Sequence, residues 1–247
     1  MALQSKWQNR CLFIDSLRGM AMLHAVAYHF LFDVFIIYGL DPDWYRITGV
    51  FIWQQCICWT FILVSGLSWP WGRRPLRRGL ELNVWGLVVT AVTLAASPKT
   101  AIWFGILNFM GCAMLLMIPL RRLLERISPA AGMAGSFLLF LLFRYVQRGE
   151  VAFGLVQLPD WLYTTRILTP LGFPYDGFRS SDYFPILPWF FLYVTGYFLG
   201  RLLTERGVLD RLARVHHPAL TWVGENSIWV YLVHQPVCMG VCMLIFR

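Results

Sequence analysis

The chain has 247 residues, 58% of them hydrophobic and 14% charged, where an ordinary soluble domain is about half apolar and a quarter charged. With a mean hydropathy of +0.58 and twelve Trp, ten Tyr and nineteen Phe, it reads as an integral membrane protein, and a soluble globular enzyme is excluded. The net charge of +8 is no argument for nucleic-acid binding until the basic residues are placed, and no nucleic-acid partner is expected.

At the N-terminus, Lys6 and Arg10 precede an apolar run broken by Asp15 and Arg18. That run continues too long for a signal h-region and meets no small-residue cleavage site, so no cleavable signal peptide is expected and the first helix stays. A membrane span needs about 20 mostly apolar residues. Seven segments meet or approach this: 12–38, 50–70, 79–96, 101–119, 131–147, 184–203 and 219–245. The expected fold is all-α, a polytopic membrane helical bundle of seven transmembrane helices in a single domain over 1–247, with the lipid bilayer as its first partner.

Orientation follows from Lys and Arg. With the N-terminus inside, the cytoplasmic side holds Lys6, Arg10, Arg18, Arg73, Arg74, Arg77, Arg78, Arg121, Arg122, Arg126, Arg201, Arg206, Arg211 and Arg214. The other side holds only Lys99, Arg46, Arg144, Arg148, Arg166, Arg179 and Arg247, and its first loop, DPDW (41–44), is acidic. N-in, C-out is the expected topology.

The first helix contains IDSLRGMAMLHAVAYHFLFD (14–33). At about 100° per residue, Asp15, Arg18, His29 and Asp33 fall within about 60° of one another, while His24 lies well away. Charged groups at membrane depth cost a few kcal/mol each, so this stripe points into the bundle or a wet cavity. Asp15 and Arg18, at i and i+3, suit a mutual ion pair. His29 and Asp33, at i and i+4, place a carboxylate within reach of one ring nitrogen. Proton transfer, metal ligation and buried pairing share that geometry. His29 lies about 16 Å along the axis from Arg18, in the outer half of the membrane.

Further along, the second helix ends in FILVSG (61–66), which carries Ser65. The run RRPLRR (73–78) is suited to phosphates by charge and also satisfies the positive-inside pattern on its own. Asn108, in WFGILNFMG (103–111), enters from outside, and AAGMAG (130–135) offers small residues for packing within or between subunits, leaving a homo-oligomer open. The long outer loop, 148–184, is rich in Pro and aromatics, as expected of a lid, an acceptor-binding element or a packed cap. Asp182 stands at the outer end of the sixth helix. Tyr231, His234 and Gln235 lie on the last helix, and together with Asn108 and Asp182 they would line a pocket or bridge helices. His234, Cys238 and Cys242 share a face at i, i+4 and i+8, but no fourth ligand accompanies them and no metal is expected.

R-GMAMLHAVAY-H (18–29), an Arg-x10-His spacing after Ile-Asp, resembles the motif of the transmembrane O-acyltransferases that modify bacterial polysaccharides. The segment WVGENSIWVYLVHQPV (222–237) is similar to the last stretch of the heparan-α-glucosaminide N-acetyltransferase family. The shared residues are Gly224, Asn226, Ser227, Ile228, Val230, Tyr231 and His234. LRGMA (17–21), FILVSG, FGILNFMG (104–111) and DYFPILPWF (182–190) fit its small bacterial members in the same order. The resemblance implies a polytopic enzyme that takes an acetyl group from cytoplasmic acetyl-CoA, a co-substrate rather than a resident cofactor, and delivers it across the membrane. The Arg-x10-His enzymes imply His29 as the catalytic residue and Arg18 as a donor-binding one. The resemblance to the lysosomal enzyme of the family, a longer one, does not extend to His29, so this assignment rests on the Arg-x10-His motif and the His29–Asp33 spacing, and the acceptor is not inherited.

The expected function is therefore a membrane acyltransferase with His29 as base and Asp33 as its orienter. Arg18, Asp15, Ser65, Arg73, Arg74, Arg77 and Arg78 are the expected acyl-CoA-binding set. Asn108, Asp182, Tyr231, His234 and Gln235 are expected toward substrate or oxyanion. The expected acceptor is a hydroxyl or amine of an envelope sugar or glycolipid, and the expected location a bacterial inner membrane. The rival is a proton-coupled carrier using the same His/Asp pair, although no inverted repeat or paired broken helix supports it.

Overall fold

A computed structural model describes residues 11–246. Lys6, Arg10 and Arg247, counted in the charge asymmetry, lie outside the described residues. The described residues are predominantly helical, with a single two-stranded hairpin among them. Seven of the described helices are long and apolar enough to cross a membrane. The chain forms two compact units, residues 1–64 with 203–247, and residues 65–202.

In the first unit, α1 (Leu12–Phe32) continues as a π-helical turn, Asp33–Ile37. The unit also holds most of α2 (Thr48–Ser68), the short helices α7 (Val208–Leu212) and α8 (Pro218–Glu225), and the last helix α9 (Ser227–Ile245). α1 packs along α8 and α9. Two glycines allow its close approach to α8. A Cβ on Gly19 would stand 1.9 Å from the Leu220 carbonyl oxygen, and one on Gly224 would stand 1.8 Å from that of Asp15. Hydroxyl groups of Ser16 and Thr221 meet at 2.7 Å beside this crossing.

The last expected span, 219–245, is two helices. Asn226 (φ −101°, ψ 18°) separates them, and its side-chain amide donates to the Trp222 carbonyl at 2.9 Å. A local side-chain bond of this kind competes with helix continuation, so α8 and α9 are free to take different directions.

In the second unit, α3 (Pro75–Ala96) packs along α4 (Ile106–Leu124). Gly79, Gly86 and Gly111 line that contact, and a Cβ on Gly86 would fall 2.5 Å from the Asn108 side chain. α5 (Pro129–Leu142) meets α6 (Ile186–Glu205) through Gly132, set against the Phe198 ring, and through a 2.9 Å bond between Ser136 and Thr195 hydroxyls. Gly66, at the end of α2, lies against the Tyr193 backbone of α6. Between α5 and α6 runs the long loop with its hairpin, β1 (Glu150–Val151) and β2 (Val156–Gln157). Leu76, Leu80, Val84 and Leu87 of α3 are exposed large apolar side chains, as lipid-facing positions require.

α4 begins five residues later than the 101–119 expected. Residues 101–105 are apolar but not helical. The Asp182 carboxylate, brought from far along the chain, accepts the Ile106 backbone N–H at 3.0 Å and so fixes the first turn.

Candidate functional site

Asp15, Arg18, His29 and Asp33, the four residues of the stripe, divide into two stations along α1 and the π-helical turn that continues it. At the first, Arg18 Nη1 donates to Asp15 Oδ1 at 2.7 Å, with the two side chains 18% and 5% exposed. The pair sits beside the Gly19–Gly224 crossing, because Asp15 itself supplies the carbonyl that Gly224 approaches. The charge of a largely buried arginine is compensated there.

At the second station Asp33 is buried, at the start of the π-helical turn. Its orienting bond differs from the one expected. Gln235 of α9 donates its Nε2–H to both carboxylate oxygens, at 2.9 and 3.0 Å, and His29 makes no hydrogen bond with Asp33. The helical spacing permits the His29–Asp33 contact, but the carboxylate finds a neutral donor on the neighbouring helix. A buried carboxylate needs such donors. π-helical turns recur at functional sites, and the bond from Tyr38 N–H to the Asp33 carbonyl closes this one at 2.9 Å.

His29 packs against His234 of α9, with ring centroids 4.9 Å apart and planes tilted by 57°. The Tyr28 ring meets His29 edge-on at 5.9 Å, and the Tyr231 ring lies 5.4 Å from His234. His234 Nδ1 lies 2.5 Å from the Tyr231 carbonyl oxygen. A carbonyl only accepts, so Nδ1 carries the hydrogen and the Nε2 of neutral His234 holds a lone pair. That Nε2 is buried and has no hydrogen-bond partner among the described residues. The arrangement brings together His29, Asp33, Tyr231, His234 and Gln235, five of the residues singled out in the sequence. His24, off the stripe, instead accepts the Trp53 indole N–H at 3.1 Å.

The remaining candidates lie in the second unit. Asn108 is buried in the α3–α4 contact, and its Nδ2 donates to the Asn83 carbonyl at 3.4 Å. Asp182 caps α4, and burial pushes its carboxyl up to about 6 against the opposing pull of the Ile106 N–H. Ser65 is half-buried near the end of α2, and its carbonyl accepts the Ser68 hydroxyl at 3.1 Å. Arg73, Arg74, Arg77 and Arg78 are exposed around the start of α3, and Arg77 pairs with Glu81 at 2.6 Å.

A family profile described as the catalytic region of heparan-alpha-glucosaminide N-acetyltransferase matches residues 10–236. The chain belongs to this family. No curated protein and no solved structure matches it. Membership in the heparan-alpha-glucosaminide N-acetyltransferase family, with seven helices apolar enough to span, makes this a multi-pass membrane protein with an acetyltransferase-like function. The matched region includes both stations of α1 and ends just past Gln235. Two features of the site escaped sequence reasoning, the Asp33–Gln235 bond and the packing of the His29 ring against His234. Both join residues some two hundred positions apart, and only a shared depth in the membrane hinted at them.

Proposed function

We propose that the protein transfers an acetyl group from cytoplasmic acetyl-CoA to a hydroxyl or amine of an envelope sugar or glycolipid, from a bacterial inner membrane with the N-terminus inside. The observation that carries this reading is the family match over residues 10–236. His29 is the base. It deprotonates the acceptor, which attacks the thioester carbonyl; the CoA thiolate leaves and is then protonated. Arg18, compensated by Asp15, marks the donor end of the helix, and the roughly 16 Å from Arg18 to His29 suits the length of an extended pantetheine arm. Asp33 and Gln235 hold the π-helical turn against α9 so that the His29 ring keeps its place.

The test uses purified protein in detergent, acetyl-CoA, a total lipid extract of the host membrane as acceptor source, and CoA-thiol release as the readout. His29→Ala is expected to lose about 100-fold or more in turnover, while CoA still raises the melting temperature through binding. Full turnover by His29→Ala would sink the scheme. Mass spectrometry of envelope glycans with and without the protein then identifies the acceptor.

A further inference from the structure

Three observations on α9 converge on one nitrogen. The Nδ1–H of His234 is committed to the Tyr231 carbonyl, so its Nε2 in the neutral ring can only accept. This Nε2 is buried without a partner among the described residues. The His234 ring also lies against that of His29, at 4.9 Å between centroids. A neutral imidazole fixed in this tautomer cannot donate to an oxyanion, the role expected of His234 from its position alone. An orphaned, oriented acceptor beside the base has a different use.

We infer that His29 and His234 act as one proton-carrying pair, with His234 Nε2 receiving the proton that His29 takes from the acceptor. The inference rests on the acetyltransferase reading. As the acceptor oxygen or nitrogen bonds to the acetyl carbon, its proton passes to His29 and then, since the two rings are in contact but not hydrogen-bonded to each other, through one intervening water to His234 Nε2. When the C–S bond breaks, the CoA thiolate takes that proton back. One proton leaves the acceptor and one reaches the thiol, and no other reagent is consumed. The pair holds a single positive charge between two rings, since close packing disfavours protonating both. The titratable groups around it are Asp33, which is bonded to Gln235, Tyr28 beside His29 with Cys58 of α2 near it, Tyr231 on α9, and Cys238 of α9 near Asp33.

His234→Asn decides the matter. An Asn amide reproduces the Nδ1–H donor to the Tyr231 carbonyl and has no counterpart of Nε2. The variant is expected to melt with the wild type and to lose about 100-fold in CoA-thiol release. Added imidazole should restore part of that loss, and the pH dependence of kcat should lose the contribution of the second group. His234→Gln serves as the second variant if the Asn protein does not fold. Turnover within about threefold of wild type would overturn the inference. So would a loss that imidazole does not relieve and that leaves the pH profile unchanged. An inactive His29→Ala beside an active His234→Asn removes the relay alone, whereas an active His29→Ala removes the function reading itself.

Discussion

The carboxylate of Asp33 is 1% exposed, and both of its oxygens take hydrogen bonds from the Gln235 amide. Removing that donor leaves a buried carboxylate to find another or to protonate. Gln235→Ala is therefore expected to cost about 2–3 kcal/mol of stability, read as a lower melting temperature in detergent. Gln235→Glu should be worse, because two carboxylates would then share one buried site. If Gln235→Ala melts with the wild type, Asp33 has another partner or is neutral in the fold. Sequence spacing located the participants, since an ionisable stripe on a membrane helix is visible on a helical wheel. It did not reveal the pairing. The i, i+4 rule favours the local partner His29, and nothing in a linear sequence weighs that contact against an amide 202 positions away.

At the scale of elements, the packing turns on glycines whose Cβ would enter a neighbouring backbone. Gly19→Ala and Gly224→Ala each force α1 and α8 apart, because the nearest atom is a carbonyl oxygen that cannot rotate away. A loss of about 3 kcal/mol or more is expected, seen as poor yield of folded protein in detergent. Gly135, in the same small-residue run as Gly132, has nothing within 4 Å of its Cβ position. Gly135→Ala should thus be neutral or stabilise by about 0.5–1 kcal/mol. Wild-type stability in Gly19→Ala would refute the crossing. The α4 cap gives a pH prediction. The Asp182 carboxyl titrates at about 6 in the fold, above its ordinary range near 4. The folded state therefore holds this proton more tightly than the unfolded chain does. Its contribution is complete below about pH 4 and is lost as pH rises through 6. Compared with Asp182→Asn, the wild type should lose melting temperature between pH 4 and 6; parallel curves would refute the shift. The spans themselves were legible because about 20 apolar residues in a row have few alternatives to a membrane helix. Their ends were not. The non-helical 101–105 is as apolar as the helix that follows, and the Asn226 break sits inside one continuous apolar pattern.

For the whole molecule, the distribution of Lys and Arg and the count of spans make a claim about sides of the membrane. Short basic loops stay inside, which puts the hairpin loop after α5 outside and the α7–α8 segment inside. The hairpin presents Leu155 at 86% exposure, and His216, between α7 and α8, is exposed as well. Leu155→Cys and His216→Cys, each in a background with the native Cys56 replaced, therefore report opposite sides. A membrane-impermeant maleimide on intact cells is expected to label the first and to reach the second only after permeabilisation. The result bears directly on the chemistry. The proposed scheme has Arg18 near the inner surface and His29 about 16 Å further out, so that a donor from the cytoplasm meets the proposed base before it crosses the full bilayer. Reversed labelling would place Arg18 on the outer side, where no cytoplasmic CoA reaches it, and the direction of acetyl transfer proposed for this protein would fail with it.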